Sequence, residues 1–320
     1  MKRIIFLLLL SSVLFSCKHK DNNLPTVAFV DAFEDNTIVQ AKTGFFDALK
    51  KNGYSEDQKT INVIYRNAQG NIPTLTQIVK YCISQNPTLI ATCPSLSTIA
   101  AIQNTKDIPV FMMVSPTPTL MKVTDSNRNP PANLFGVSEE LGYIDTSFAL
   151  IKQLVKPNSG KLTVGMIYNQ SEPQSVEALK RISSLAKQLD LNLVSLPVNS
   201  SADVQLVTQS LLTKHIDAFF ANPDNTVFSS FETIIKTCDN AKVPVFTSEA
   251  GLVSRGAVAA YGADMYQWGY QCGLQAALYL QTKSTSNIHW DLVKSHGSVY
   301  NAKAAAAYHI SLPASFVPLK

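Results

Sequence analysis

The 320-residue sequence has few charged residues, 16% of the total, and no run of basic ones. It has 27 Lys and Arg residues against 23 Asp and Glu, and Lys2 and Arg3 lie in a segment that we expect to be removed. The remaining 25 positive charges give the mature chain a net charge of +2, and no helix-turn-helix pattern is present, which excludes a nucleic-acid-binding protein. Low-complexity tracts are absent and 46% of the residues are hydrophobic, which excludes intrinsic disorder.

The sequence also lacks the short motifs of serine hydrolases, P-loop proteins, zinc peptidases and dinucleotide-binding enzymes. Its histidines are scattered, at positions His19, His215, His289, His296 and His309. Cys82, Cys93, Cys238 and Cys272 form no CxxC pair and match no zinc-site spacing, and whether they form disulfides stays open. We therefore predict no metal, no cofactor and no enzymatic activity. A racemase-like or hydrolytic activity is the enzymatic alternative, with Cys93 the only cysteine expected in a cleft.

The first residues predict export. Lys2 and Arg3 precede an apolar stretch over residues 4–15, which is too short to span a membrane at roughly 20 residues. The stretch ends in Leu14-Phe15-Ser16-Cys17, which resembles a bacterial lipobox, with Cys17 as the lipidated residue. We therefore predict a signal peptide over residues 1–16, a lipidated tether over 17–25 and an extracytoplasmic protein held at a membrane. An ordinary signal peptide is the alternative, and the choice between inner and outer membrane stays open.

Strands and helices alternate after residue 24. Apolar runs predict strands over residues 26–30, 60–65, 88–93 and 109–114, and then over 162–168, 192–197, 218–221, 244–247 and 258–261. Helical spacing predicts the intervening helices, among them 95–103, 175–188, 227–238 and about 265–281. The two series of similar size predict an α/β protein with two doubly wound parallel-sheet lobes. The break between them is expected at Pro130-Pro131 and the segment 136–145.

Polar loops follow the predicted strands, and ligands of open parallel sheets bind beyond the carboxyl ends of the strands. Ser95 begins a helix directly after a strand, where free amide groups favour a ligand carboxylate. Asp224 and Asn225 follow another strand and are suited to an ammonium group, although a turn with a helix N-cap explains them equally well. The same ambiguity applies to the other loop carboxylates, Glu34, Asp35 and Glu249.

Several short segments together carry a resemblance to a known family. They are Gly44-Phe45, Asn67-Ala68-Gln69-Gly70, Lys106-Asp107-Ile108-Pro109-Val110, Gly136-Val137-Ser138, Tyr168-Asn169 with the loop to Ser175, Asp224-Asn225-Thr226-Val227, Lys242-Val243-Pro244-Val245-Phe246, Arg255-Gly256-Ala257 and Asn301-Ala302-Lys303-Ala304-Ala305. In this order, from about residue 26 to 313, the chain resembles the tryptophan/tyrosine-type substrate-binding proteins of ABC importers, a branch of the type I periplasmic-binding-protein fold.

The resemblance implies two lobes that close about a hinge on a small ligand, an amino acid and possibly an aromatic one. It implies an N-terminal lobe of residues 26–136 and 256–286, and a C-terminal lobe of residues 137–255 and 287–320. The family's ligand contacts carry over to Glu34, Gln69, Ser95, Thr98, Asn169, Ser175, Asp224 and Asn225. The implied partners are an ABC permease with its ATPase, and the protein is expected to be a monomer.

Two loops depart from the family pattern. Glu34-Asp35-Asn36 stands where Glu-His-Pro is usual, and Ser115-Pro116-Thr117-Pro118 stands where an Asp-Pro pair is usual. Both loops are expected at the ligand, so the sequence leaves the ligand's identity open. A ligand-sensing protein coupled to a signalling partner is the alternative binding function.

Overall fold

The computed structural model describes residues 24–33 and 38–319. It confirms the predicted α/β fold with two parallel sheets. The predicted signal peptide, the lipidation site Cys17, and the loop residues Glu34 and Asp35 lie outside the described residues. Within the described part of the chain, no helix is both long and apolar enough to cross a bilayer.

The first sheet comes mainly from residues 26–139. Its strands are β1 (Thr26–Asp31), β2 (Asn62–Asn67), β3 (Leu89–Cys93), β4 (Val110–Pro116), β5 (Leu134–Glu139) and β11 (Asp291–Leu292). They are all parallel, in the order β11-β5-β4-β3-β1-β2. The helices of this region are α1 (Val39–Lys51), α2 (Ile72–Ser84), α3 (Ser95–Asn104) and α10 (Met265–Thr282). The central strands β3 and β4 are buried along their whole length, which explains their unbroken apolar runs.

Helix α10 joins this region from far along the chain because it packs closely on α1. A Cβ atom at Gly269 of α10 would lie 1.8 Å from the carbonyl oxygen of Ala41, and one at Gly44 of α1 would lie 2.0 Å from that of Tyr266. Only glycine allows the two backbones to approach this closely. The pairing of these glycines therefore fixes where α10 crosses α1.

The second sheet comes from the middle of the chain. Its strands are β6 (Thr163–Asn169), β7 (Asn192–Val198), β8 (Ala218–Ala221) and β9 (Val245–Thr247), all parallel, in the order β7-β6-β8-β9. The helices of this region are α4 (Tyr143–Leu154), α5 (Pro173–Gln188), α6 (Val204–Leu212), α7 (Asn225–Ser229), α8 (Phe231–Asn240) and α9 (Ala250–Ser254). The single helix predicted over 227–238 is wrong, because the chain forms α7 and α8 with Ser230 between them.

A third sheet was not expected. It consists of β10 (Ala259–Ala263), β12 (His296–Asn301) and β13 (Val317–Leu319), and β10 and β12 run antiparallel. The short helix α11 (Ala302–Ala307) follows β12. The segment 136–145, predicted only as part of the break, contains most of the buried strand β5 and the start of helix α4.

The division of the chain between two lobes stays a prediction, but β10 suggests a change to it. The expected N-terminal lobe includes β10, whereas β10 packs on α4 and β9, and the Ser147 hydroxyl of α4 donates a hydrogen bond to the carbonyl oxygen of Tyr261. We therefore propose that the boundary between the lobes that was predicted between residues 255 and 256 lies instead after β10, near residues 263–264.

Cys82, Cys238 and Cys272 are buried free thiols. Burial raises the pKa of all three, that of Cys238 to about 12. A thiol that stays protonated is a poor nucleophile. These three cysteines therefore pack as small apolar side chains.

Candidate ligand-binding cleft

A small cavity of about 40 Å³ lies where the carboxyl ends of the two parallel sheets face each other. The first sheet and α10 contribute one wall, formed by Val114, Ser115, Pro116, Glu139, Met265 and Trp268. The other wall is formed by Leu141, Tyr143, Gln174, Pro223, Asn225, Phe228 and Glu249. The cavity therefore lies where ligands of parallel sheets bind.

Glu249 is the cavity residue with an open acceptor. It stands at the N-cap of α9, is 2% exposed, and its Oε1 accepts a hydrogen bond of 2.7 Å from the Tyr143 hydroxyl. Its other oxygen, Oε2, is buried and has no hydrogen-bond partner. Burial raises the pKa of Glu249 to about 8; the bond from Tyr143 lowers it and the nearby charge of Glu139 raises it further. A buried carboxylate oxygen without a partner is costly, so a ligand that donates to it would be favoured.

The apolar part of the cavity is held rigidly. The Trp268 indole N–H donates a hydrogen bond of 2.8 Å to the carbonyl oxygen of Val137, which fixes the ring. Met265, one turn earlier on α10, and Phe228 of α7 line the same space. A fixed indole, a thioether and a phenyl ring suit a flat apolar ligand group.

Asp224 lies behind the cavity wall and is fully buried. Its Oδ1 caps α7 by accepting from the backbone N–H groups of Thr226 at 2.8 Å and Val227 at 3.0 Å. Its Oδ2 accepts from the Asn169 backbone N–H and the Ser175 hydroxyl, both at 2.6 Å. Burial raises the pKa of Asp224, and these bonds lower it. Both oxygens are thus occupied by groups of the chain itself.

Glu172, also buried, connects this network to the cavity through Asn225. Its Oε2 accepts from the backbone N–H of Asn225 at 3.0 Å and from the side-chain Nδ2 at 2.7 Å. Burial raises the pKa of Glu172 to about 8, and the charge of Asp224 raises it as well. Asn225 Nδ2 also donates to the Ser95 hydroxyl at 3.4 Å, between the two cavity walls. This bond joins the start of α7 to the start of α3.

The structure separates the predicted site residues into groups. Asn225 lines the cavity, Ser95 contacts Asn225, and Asn169, Ser175 and Asp224 form the network behind it. The Thr98 hydroxyl is buried at hydrogen-bond distance from the hydroxyls of Thr92, at 2.9 Å, and Ser115, at 3.2 Å. Gln69 is exposed at the end of β2. Glu34 lies outside the described residues.

Sequence reasoning omitted several residues of this region from the site, among them Glu139, Tyr143, Glu172 and Trp268. Glu172 was within reach, because it lies in a polar loop that follows a predicted strand. Trp268 gave no signal, because it is one apolar residue in a long helix. Among the described residues, no group of His, Cys, Asp or Glu side chains could hold a metal ion.

The chain is similar to proteins of one family over nearly all the described residues. A family model described as ABC transporter substrate binding protein matches residues 26–317. The tyrosine-binding protein of Clostridioides difficile is 33% identical over 255 residues, which cover 80% of this chain and 72% of that protein.

Solved structures agree with this match. A conserved domain protein from Vibrio cholerae is 30% identical, with a TM-score of 0.84 over 93% of this chain and 100% of that one. An ABC domain in complex with L-Trp from Streptococcus pneumonia is 22% identical, with a TM-score of 0.82 over 91% of this chain and 96% of that one. The second likeness shows the fold.

Proposed function

The chain belongs to the ABC transporter substrate-binding protein family, and on that premise we propose that it captures an amino acid, in particular an aromatic one, between its two sheets. The family is one of binding proteins, and its members are extracytoplasmic. The relative named for tyrosine and the fold neighbour solved with L-Trp support an aromatic ligand. No covalent step is required for capture.

The observation that carries the proposal is the open oxygen of Glu249. A protonated amine is the ligand group that best satisfies a buried carboxylate oxygen, because it donates a charge-assisted hydrogen bond. The aromatic side chain would lie beside Trp268 and Phe228, which line the same cavity. Glu249, rather than Asp224, is thus the proposed acceptor for the ligand's ammonium group.

Capture would follow from closure of the two walls on the ligand. The contact between Asn225 and Ser95 suggests that the described arrangement is the closed one. A ligand that touches both walls binds the closed form better than an open form, so it shifts the population towards closure. Asn225 would line the binding site and would also hold the closed form through its hydrogen bond to Ser95.

We propose that the captured amino acid is delivered to an ABC permease with its ATPase. Cys17 would anchor the monomeric protein through lipid, which raises its local concentration at the permease. Both points rest on the sequence and on the family.

Thermal unfolding of the full chain, purified in mild detergent, tests the ligand assignment. Each of the twenty amino acids is added at increasing concentration to protein freed of ligand by unfolding and refolding. A ligand of the folded state at a hundredfold excess over Kd stabilises it by about 2.7 kcal/mol. We expect L-tyrosine or L-tryptophan to give the largest shift; no shift with any amino acid would contradict the proposal.

A further inference from the structure

His296 lies at the centre of a cluster that joins three strand ends near the cavity. Its Nε2 is at hydrogen-bond distance from Oε2 of Glu139, the last residue of β5. Its ring stacks on Tyr261 of β10, with centroids 5.9 Å apart and planes at 16°. His296 itself begins β12, where it pairs with Ala263. The end of β5, the strand β10 and the start of β12 therefore meet at one imidazole.

Glu139 connects this cluster to the ligand cavity. It lines the cavity and is 8% exposed. Its Oε1 accepts from the Glu140 backbone N–H at 2.8 Å, while Oε2 pairs with His296. Burial raises the pKa of Glu139, and the hydrogen bond and charge of His296 lower it. His296 thus holds a carboxylate that faces the ligand.

The titratable groups that line the space around His296 are acidic or neutral, and Lys294, two residues before it, pairs with Asp291 at 3.1 Å. His296 lines a second cavity with Asp264, and Tyr143, Tyr261 and Glu249 are the other titratable groups nearby, with Glu140 beside Glu139. In the described residues, neither cavity has a Lys or Arg in its lining. The charge state of His296 therefore decides how far the charge of Glu139 is compensated where it lines the cavity.

We propose that His296 is a positioning residue that makes amino-acid capture depend on its own protonation. This rests on the proposed function. A neutral His296 leaves the Glu139 charge to attract the ligand's ammonium group together with Glu249. A protonated His296 compensates that charge, and the attraction falls. Ligand affinity should therefore be higher with His296 neutral than with His296 protonated.

Two variants that fix the charge at position 296 test this. His296→Gln is neutral at every pH, and His296→Arg is charged at every pH. We expect His296→Gln to match the wild type at pH 8 and His296→Arg to match it at pH 5.5. The two variants should differ about tenfold in affinity at pH 8, because one charge at this range changes a binding free energy by on the order of 1.4 kcal/mol.

Isothermal titration calorimetry with L-tyrosine and L-tryptophan supplies the affinities, and His289→Gln, at an exposed histidine, is the matched control. Glu249 is present in the wild type and in every variant at position 296. Its own change of charge with pH therefore does not affect a comparison of their affinities at one pH. Equal affinities of the Gln and Arg variants would overturn the inference while the proposed function stands. A wild type that binds neither amino acid would overturn both.

A further variant keeps the test valid if a His296 variant unfolds. Glu139→Gln removes the charge that His296 compensates, so it should lower the affinity at pH 8 about tenfold and have little effect at pH 5.5. A purely structural role of the Glu139–His296 pair would instead lower the affinity by the same factor at both pH values, which would overturn the inference.

Discussion

Replacing Glu249 by Gln should weaken amino-acid binding strongly. The glutamine keeps the shape and an acceptor for the Tyr143 hydroxyl, but it removes the charge opposite the ligand's ammonium group. Loss of one partner of a buried charge pair costs about 3 kcal/mol, which corresponds to roughly a hundredfold in Kd. Isothermal titration calorimetry at pH 8 measures this directly. This pH is chosen because burial raises the pKa of Glu249 to about 8.

The same substitution should stabilise the ligand-free protein. The pKa of Glu249 is raised from 4.5 to about 8, so its contribution to stability is fully present below pH 4.5 and is lost as pH rises through about 8. At pH 7 the raised pKa lowers the free energy of unfolding by about 3 kcal/mol, compared with a side chain at this position that does not ionise. A change of one pKa unit corresponds to roughly 1.4 kcal/mol. Glu249→Gln avoids this loss of stability. The variant should still lose some stability as the pH rises, because the pKa of Glu172 is also raised to about 8.

Opposite signs in the two assays are the signature of the proposed role. Glu177→Gln, on the partly exposed face of α5, is the matched control and should change neither quantity. If Glu249→Gln lowered both the affinity and the free energy of unfolding, Glu249 would be a structural residue. If the affinity stayed unchanged, the ammonium group would bind elsewhere and our reasoning about the open oxygen would be refuted.

Two further predictions concern stability. Asp224→Ala should lower the free energy of unfolding by about 3 kcal/mol, because α7 loses its N-cap and the donors from Asn169 and Ser175 are left buried without an acceptor. Urea unfolding measures this change. A drop in ligand affinity without a drop in stability would instead make Asp224 a ligand contact. Gly269→Ala should lower the free energy of unfolding by about 3 kcal/mol, because its Cβ would lie 1.8 Å from the Ala41 carbonyl oxygen. An unchanged urea midpoint would show that the α1–α10 crossing is loosely packed.

Most of the fold could be predicted because the buried strands of a parallel sheet are continuous apolar runs. The predictions for β1, β3 and β8 agree with the structure to within a residue or two at each end. The third sheet was missed because every residue of β12 is half-buried and carries no apolar run. The division between α7 and α8 was missed because apolar residues continue across Ser230.

The candidate site was predicted in position but not in detail. The rule that ligands bind beyond strand ends selects the loops that contain Asn225 and Glu249. It cannot tell which carboxylate is used internally, since Asp224 and Glu249 each follow a strand and each stand at a helix N-cap. That distinction depends on tertiary donors, such as the Ser175 hydroxyl that reaches Asp224. The role of His296 depends on its pairing with Glu139, 157 residues away.

A crystal structure of the chain with the amino acid that stabilises it most tests the central claim directly. We predict that the ligand lies between the two sheets, with its ammonium nitrogen about 3 Å from Oε2 of Glu249 and its side chain against Trp268. A ligand whose ammonium group instead bonds to Asp224, or one bound outside this cavity, would contradict the account.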